Sequence, residues 1–226
     1  MDSPAHTEFP NAASGRRSAL ATRDALGDVL PPSFYDRDAA LVARDLLGAV
    51  LRRTHPDGVV SGRIVETEAY LGPHDPACHA VAGRTARTWH LFGAPGIAYV
   101  YFIYGMHWCV NAVTREEGFG SAVLIRAIAP LEGIDFMRAR RIKARRDAQL
   151  CDGPGKLCAA LAIDRTLDGA PLTGGSPLSI HAGARVPDEE VVTGPRVGIT
   201  KAVDLCLRFR CPTEPGGLVV PETVIR

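Results

Sequence analysis

The sequence predicts an α+β fold built as one domain: a mostly antiparallel, curled and partly barrel-like sheet with flanking helices and a protruding β-hairpin. Three observations carry that prediction. Strand-like stretches arrive in hairpin order, AVLRRT and VVSGRIVETEAY around HPDG, then two aromatic, β-branched halves around Gly105 and Met106. Helical spacing is confined to short segments beside them. No internal repeat and no linker of biased composition divides the chain.

The elements follow in order. Residues 1 to about 30 are rich in Ala, Ser, Pro and Asp without periodicity and read as a disordered tail before a domain spanning 31–226. DRDAALVARDLLG places Leu41, Val42, Leu46 and Leu47 at helical spacing, and Gly48 is positioned to end that helix in a left-handed conformation. Asp-Gly in HPDG is a hairpin signal. In the second strand Ile64, Glu66, Glu68 and Tyr70 alternate with Arg63, Val65, Thr67 and Ala69, which puts Glu68 and Tyr70 on one face, about 7 Å apart. GIAYVYFIYGMHWCVNAVT reads as a hairpin with Tyr104 at its tip, and SAVLIRAI as a further strand carrying Arg126. Two helices are expected next, one from Pro130 through LEGIDFMRARRIKARR and one from Asp152 or Gly153 through PGKLCAALAI, each with proline in its first turn. PLSI, PRVGI and LRFRC look like short strands.

Composition narrows the function classes. The chain has 226 residues, enough to bury a real core, and a net charge of +1, which does not by itself announce a nucleic-acid partner. Charge distribution says more: Arg138, Arg140, Arg141, Lys143, Arg145 and Arg146 fall within one short run, either a solvated surface segment or a phosphate contact. No apolar run is long enough for a membrane span or a secretory signal, so a cytoplasmic protein without a membrane partner is expected. The six cysteines form no Cys-x-x-Cys pair and read mainly as small buried apolar residues. His74, Asp75, Cys78 and His79 offer potential metal ligands but lack a recognised ligand spacing, and no metal is expected.

The residues that point to chemistry are a carboxylate among aromatic rings. Glu68 is followed by Tyr70, the turn LGPHD and His79. A strand carboxylate is usually a solvent-facing residue. Beside rings that can stack a flat base, it can deprotonate water and stabilise positive charge developing on a sugar. Tyr99, Tyr101 and Tyr104 crowd the hairpin with Phe102 and Trp108. For Phe102 and Trp108 a hydrophobic sheet core is the preferred reading, whereas Tyr104 at an exposed tip can act as a wedge between bases. The three lysines, Lys143, Lys156 and Lys201, all lie outside the stretch from Glu68 to Asn111, which favours attack by water over an amine nucleophile.

ETEAYLGPHDPACH, YVYFIYGMHWCVN, VLIRAIAPLEG and DGPGKLCAALAI, in that order, resemble the alkyladenine (3-methyladenine) DNA glycosylase family over about residues 35–210. The resemblance implies a monofunctional glycosylase of base excision repair, without cofactor, acting as a monomer on double-stranded DNA. It would flip out 3-methyladenine, 7-methylguanine, hypoxanthine or ethenoadenine and hydrolyse the N-glycosidic bond without cutting the strand. On that resemblance Glu68 is the general base and Arg126 helps hold the water and the carboxylate. Tyr70, His79 and Tyr101 wall the base pocket, Asn111 obstructs the exocyclic amino group of guanine, and Tyr104 with Met106 intercalates. Arg84, His107, Lys156 and Arg165 are candidate contacts to the DNA backbone. His107 departs from relatives that carry a second aromatic residue there, and the segment from His79 to Tyr99 follows the family pattern loosely. The alternatives are a catalytically inactive damaged-DNA-binding module on the same fold and a hydrolase of free nucleosides. The first predicts a lost carboxylate or lost rings, and the second predicts no wedge and no basic run.

Overall fold

The structure, a computed structural model, describes residues 26–56 and 58–211. Most of the expected tail (residues 1–25), the C-terminal residues 212–226 and Asp57 of the HPDG turn lie outside the described residues. Residues 27–30 run along the fold: Val29 bridges His181, and the Leu30 N–H donates to the Ile180 carbonyl at 2.9 Å.

Two short helices open the chain, α1 (Pro32–Tyr35) and α2 (Ala39–Asp45). Asp38 caps α2 by accepting from the Ala40 N–H, and Gly48 follows at φ +89°, the left-handed conformation its position predicts. β1 (Val50–His55) and β2 (Gly58–Tyr70) form the first hairpin, with His55 opposite Gly58. β3 (Ala98–Ile103) and β4 (His107–Thr114) form the second hairpin, and β5 (Ser121–Glu132) pairs with both β4 and β2. After α3 (Ile134–Arg140) and α4 (Pro154–Ala160) come β6 (Leu178–His181), β7 (Val192–Gly194) and β8 (Arg208–Arg210).

Among the described residues these strands make one antiparallel sheet, ordered β3-β4-β5-β2-β1-β6, with β7 paired to β8 and β8 to β2. β2 is the axis. One edge carries β5, and the other is shared by β1 along its first half and β8 at Glu66–Glu68. Among the described residues the expected barrel-like closure is not formed. The edges meet across an irregular segment instead: Ala98 and Val100 of β3 donate to the Ala170 carbonyl and Asp168 carboxylate, while the Ile180 N–H of β6 donates to the Leu172 carbonyl.

Three other sequence expectations need correction. Pro130 lies inside β5, opposite Gly62, and the helix starts only at Ile134, after Gly133 turns the chain at φ +71°. PRVGI is a loop after β7 rather than a strand. Ile64 does not share a face with Glu68: register shifts between Ile64 and Thr67 change the alternation. Ile64 and Ala69 enter the main core, and the Thr67 hydroxyl donates to the Ala43 carbonyl of α2. Glu66, Glu68 and Tyr70 are left for the opposite face. Of the six cysteines five are buried and Cys206 is exposed; all are free thiols.

A second, smaller core of Cys78, Ala80, Leu91, Phe92, Tyr99, Val113 and Ala122 underlies the other face of the sheet, with Tyr70 and Tyr101 packed against it. That cluster fixes the aromatic walls of the cavity described next.

Candidate active site

A cavity of about 940 Å³ opens on the face of β2, β4 and β5 that carries Glu68. Tyr70, His79, Tyr99, Tyr101, Asn111 and Arg126 line it, six residues drawn from five separate elements of the chain. Its size falls within the range of small-ligand pockets.

Glu68 sits just behind this wall with no exposed surface. Its Oε1 accepts the Val197 backbone N–H at 2.7 Å and lies 3.2 Å from Arg126 Nη1. Its Oε2 accepts the Tyr70 hydroxyl at 3.0 Å. Burial pushes the Glu68 carboxyl above its usual range, while the Arg126 charge, the Val197 N–H and the Tyr70 hydroxyl pull the other way. Arg126 is shared between two carboxylates, donating from Nε to Glu66 Oε1 at 2.8 Å. Burial would lower the Arg126 pKa, but Glu68 and Glu66 outweigh it, so the guanidinium stays charged. The unit is therefore a desolvated, hydrogen-bonded carboxylate with a fixed cation beside it.

The aromatic wall comes from β3 and the 3-10 turn at His79–Ala82. The ring of His79 meets that of Tyr101 edge-on at 4.6 Å, and its Nδ1 lies 2.9 Å from the Tyr99 hydroxyl. Burial, assisted by the Arg87 charge, lowers the His79 pKa, so near neutral pH the ring is uncharged. Asn111, paired across the hairpin with Tyr99, donates from Nδ2 to the Tyr99 carbonyl at 2.9 Å and is buried as a fixed post. Tyr104 occupies the hairpin tip at φ +54° with 75% of its surface exposed, and Met106 beside it is 67% exposed. Phe102 departs from the expected core position: it is exposed and packs against Trp108 at 4.7 Å.

The four candidate backbone contacts do not form one group. His107 and Lys156 line the cavity, His107 lying close against Gly155 and Lys156 paired with Asp152 at 2.9 Å. Arg84 is exposed, donates to the Phe92 carbonyl at 3.1 Å and covers the Trp89 ring. Arg165 opens a 3-10 turn packed beside β3 and is not part of the cavity wall.

Comparison with known proteins supplies first the class and then the family. The class is that of DNA glycosylases, enzymes of DNA repair. A protein of Methanocella arvoryzae named "Putative 3-methyladenine DNA glycosylase" is 50% identical over 180 residues, covering 80% of this chain and 89% of its own. Proteins of the same name from Carboxydothermus hydrogenoformans and Rubrobacter xylanophilus are 48% and 52% identical, over 80% and 71% of this chain and 94% and 82% of their own. The chain belongs to the methylpurine-DNA glycosylase family, whose profile matches residues 33–215.

Sequence reasoning missed Val197, Arg87 and Arg196. Val197 acts through its backbone N–H, which no side-chain pattern signals. Arg87 donates to the Phe102 carbonyl and lies 5.5 Å from the Tyr101 ring centre. Asp75 is tied to Arg196. Among the described residues no group of three or more His, Cys, Asp or Glu is placed to hold a metal ion, and no helix is long and apolar enough to cross a membrane.

Proposed function

We propose that this protein is a monofunctional glycosylase of base excision repair that removes alkylated or deaminated purines from double-stranded DNA by attack of water. The observation that carries this reading is Glu68, held by Arg126, Tyr70 and Val197 behind a cavity walled by aromatic rings. A damaged purine leaves the base stack and enters between the rings of Tyr70 and of His79 and Tyr101, while Tyr104 and Met106 fill the gap. Stacking captures any purine, on the order of 1–3 kcal/mol per base, so discrimination falls to shape. Asn111, anchored on the Tyr99 carbonyl, stands against the exocyclic amino group of guanine.

Glu68 then takes a proton from a water whose oxygen bonds to the sugar C1′. The C1′–N bond breaks, its electron pair leaves with the base, and Glu68 and Arg126 share the changing charge. A 3- or 7-alkylated purine is already cationic and leaves as a neutral base. Hypoxanthine needs a proton, and an uncharged His79 offers a hydrogen bond rather than that proton. The protein acts as a monomer, and Arg84, His107, Lys156 and Arg165 serve the DNA backbone.

Base release from duplexes carrying hypoxanthine, 1,N6-ethenoadenine or methylated purines tests the proposal. Glu68→Gln should abolish release while lesion-duplex binding persists. Undiminished release by that variant would sink the mechanism, and binding without release by the wild type would favour the inactive binding module.

A further inference from the structure

The buried pair Asp75–Arg196 lies outside the cavity wall. Both side chains have no exposed surface. Arg196 Nη2 donates to Asp75 Oδ1 at 2.9 Å, Nη1 donates to Asp75 Oδ2, and Nη1 also reaches the Ala69 carbonyl at 3.0 Å. Such a two-pronged contact fixes orientation as well as distance. Asp75 in turn accepts the N–H groups of Leu71 and Ala77, so it shapes the loop that runs from Tyr70 to His79.

Two consequences reach the site. Arg196 immediately precedes Val197, whose N–H meets Glu68. Its guanidinium also lies 4.8 Å from the centre of the Tyr70 ring, and Tyr70 lines the cavity while Arg196 does not. The cation therefore backs the ring from the protein side.

We propose that Asp75 and Arg196 are positioning residues for the excision reaction: their ion pair clamps the 196–197 loop to β2, holding the Val197 N–H on Glu68 and the Tyr70 ring in place. This rests on the glycosylase reading for its effect on rate, but not for its effect on Glu68. Burial would raise the Asp75 carboxyl, yet Arg196 and the two N–H groups outweigh it and hold it below the usual range. The clamp is thus charged wherever Glu68 titrates. The groups facing Glu68 are Glu66 and Tyr70 from its own strand, Arg126 from β5, Cys109 from β4 and Arg196 itself, while Arg208 of β8 reaches Glu66 at 3.5 Å. Asp75→Asn and Arg196→Lys both keep a cation at position 196 and leave all of these groups in place; what each removes is the hold on the Val197 N–H, one donor to the charged form, so Glu68 must titrate at higher pH.

The test compares full-length wild type, Asp75→Asn and Arg196→Lys. Asp75→Asn keeps the volume, and Arg196→Lys keeps the charge without the fork. Glu68 is titrated by NMR with carboxyl-13C glutamate, its signal assigned by loss in Glu68→Gln. Single-turnover release of hypoxanthine is followed across pH. Both variants should move the Glu68 midpoint upward and slow release by up to about 100-fold at acidic pH, with recovery as pH rises. An unmoved Glu68 midpoint, or a rate loss equal at every pH, overturns the proposal, because a purely structural clamp predicts the latter. If either variant fails to fold, the wild type still decides: the Val197 amide shift must titrate with Glu68, and a shift flat across that range overturns the proposal. If the wild type releases no base, the glycosylase reading falls while the titration still judges the clamp.

Discussion

The Tyr70 hydroxyl donates to Glu68 Oε2 at 3.0 Å, linking the ring that faces the cavity to the carboxylate behind it. Glu68 binds its proton more tightly folded than unfolded. The stability this contributes is present below the ordinary glutamate pKa and is lost as pH rises through the folded value. Tyr70→Phe removes a donor to the charged form, pushing the folded value higher. The variant should lose about 1.5–3 kcal/mol at pH 8 and markedly less near pH 4. Urea denaturation at the two pH values reads the difference, and the acid limb of base release should move up with it. A cost independent of pH would rule out the bond to the ionised carboxylate.

Arg126 stands between Glu66 and Glu68 with a side chain only 7% exposed. Arg126→Gln leaves the buried Glu68 without its cation, while Glu66 keeps Arg208 at 3.5 Å. Breaking a buried ion pair costs about 3–5 kcal/mol, so the variant should unfold at clearly lower denaturant concentration. Neutralising one carboxylate as well, in Glu66→Gln/Arg126→Gln, should restore part of that loss. An Arg126→Gln protein as stable as the wild type would mean that the guanidinium contributes no net charge compensation.

Arg87 illustrates what remained hidden in the sequence. The strand pair around HPDG, the tip at Tyr104 and the helix opening at Pro154 were legible because each follows from local spacing or turn chemistry. The face of Ile64 was not, because a register shift between β2 and β5 depends on a strand about 60 residues away. Nor was the role of Asp75, which read as a possible metal ligand and instead pairs with Arg196, 121 residues distant in the chain. Within the site, Tyr70, His79, Tyr101, Asn111 and Arg126 line one cavity, and Glu68 lies 3.2 Å from Arg126 behind it. Backbone donors and charges on exposed loops carry no such pattern.

That exposed charge has a measurable effect. Burial and the Arg87 guanidinium together hold the His79 pKa down. Arg87→Gln removes the second cause and leaves the first, so His79 should titrate higher than in the wild type but still below an unperturbed histidine. Histidine ring NMR signals, assigned with His79→Gln, provide the readout. An identical His79 midpoint in both proteins would show that Arg87 lies too far from the ring, or too well solvated, to act on it.

Two lysines reach the cavity from distant parts of the chain. Lys156 and Lys201 lie far from Glu68 in the chain, yet both line the cavity. Distance along the chain therefore does not exclude an amine nucleophile. Lys156 is paired with Asp152 at 2.9 Å. Borohydride added during turnover should trap no covalent protein–DNA complex, and Lys156→Ala and Lys201→Ala should each still release base. A trapped complex that disappears in either variant would replace the water mechanism with a Schiff-base one.

Tyr104 holds a backbone conformation that costs a residue with a side chain roughly 1–2 kcal/mol, at φ +54°. Its side chain, 75% exposed, recovers little of that by packing. Strain kept at an exposed tip fits a residue retained for contact with DNA rather than for folding. Tyr104→Gly relieves the strain but adds freedom to the unfolded chain, on the order of 0.5–1 kcal/mol. The fold should therefore be as stable as before or up to about 1.5 kcal/mol more stable. Affinity for a lesion-bearing duplex should fall by about 1–3 kcal/mol, the worth of one stacked ring. Thermal melting and fluorescence anisotropy on the same preparations separate the two effects. Loss of stability together with unchanged affinity would assign Tyr104 to the fold and remove it from the DNA-binding surface.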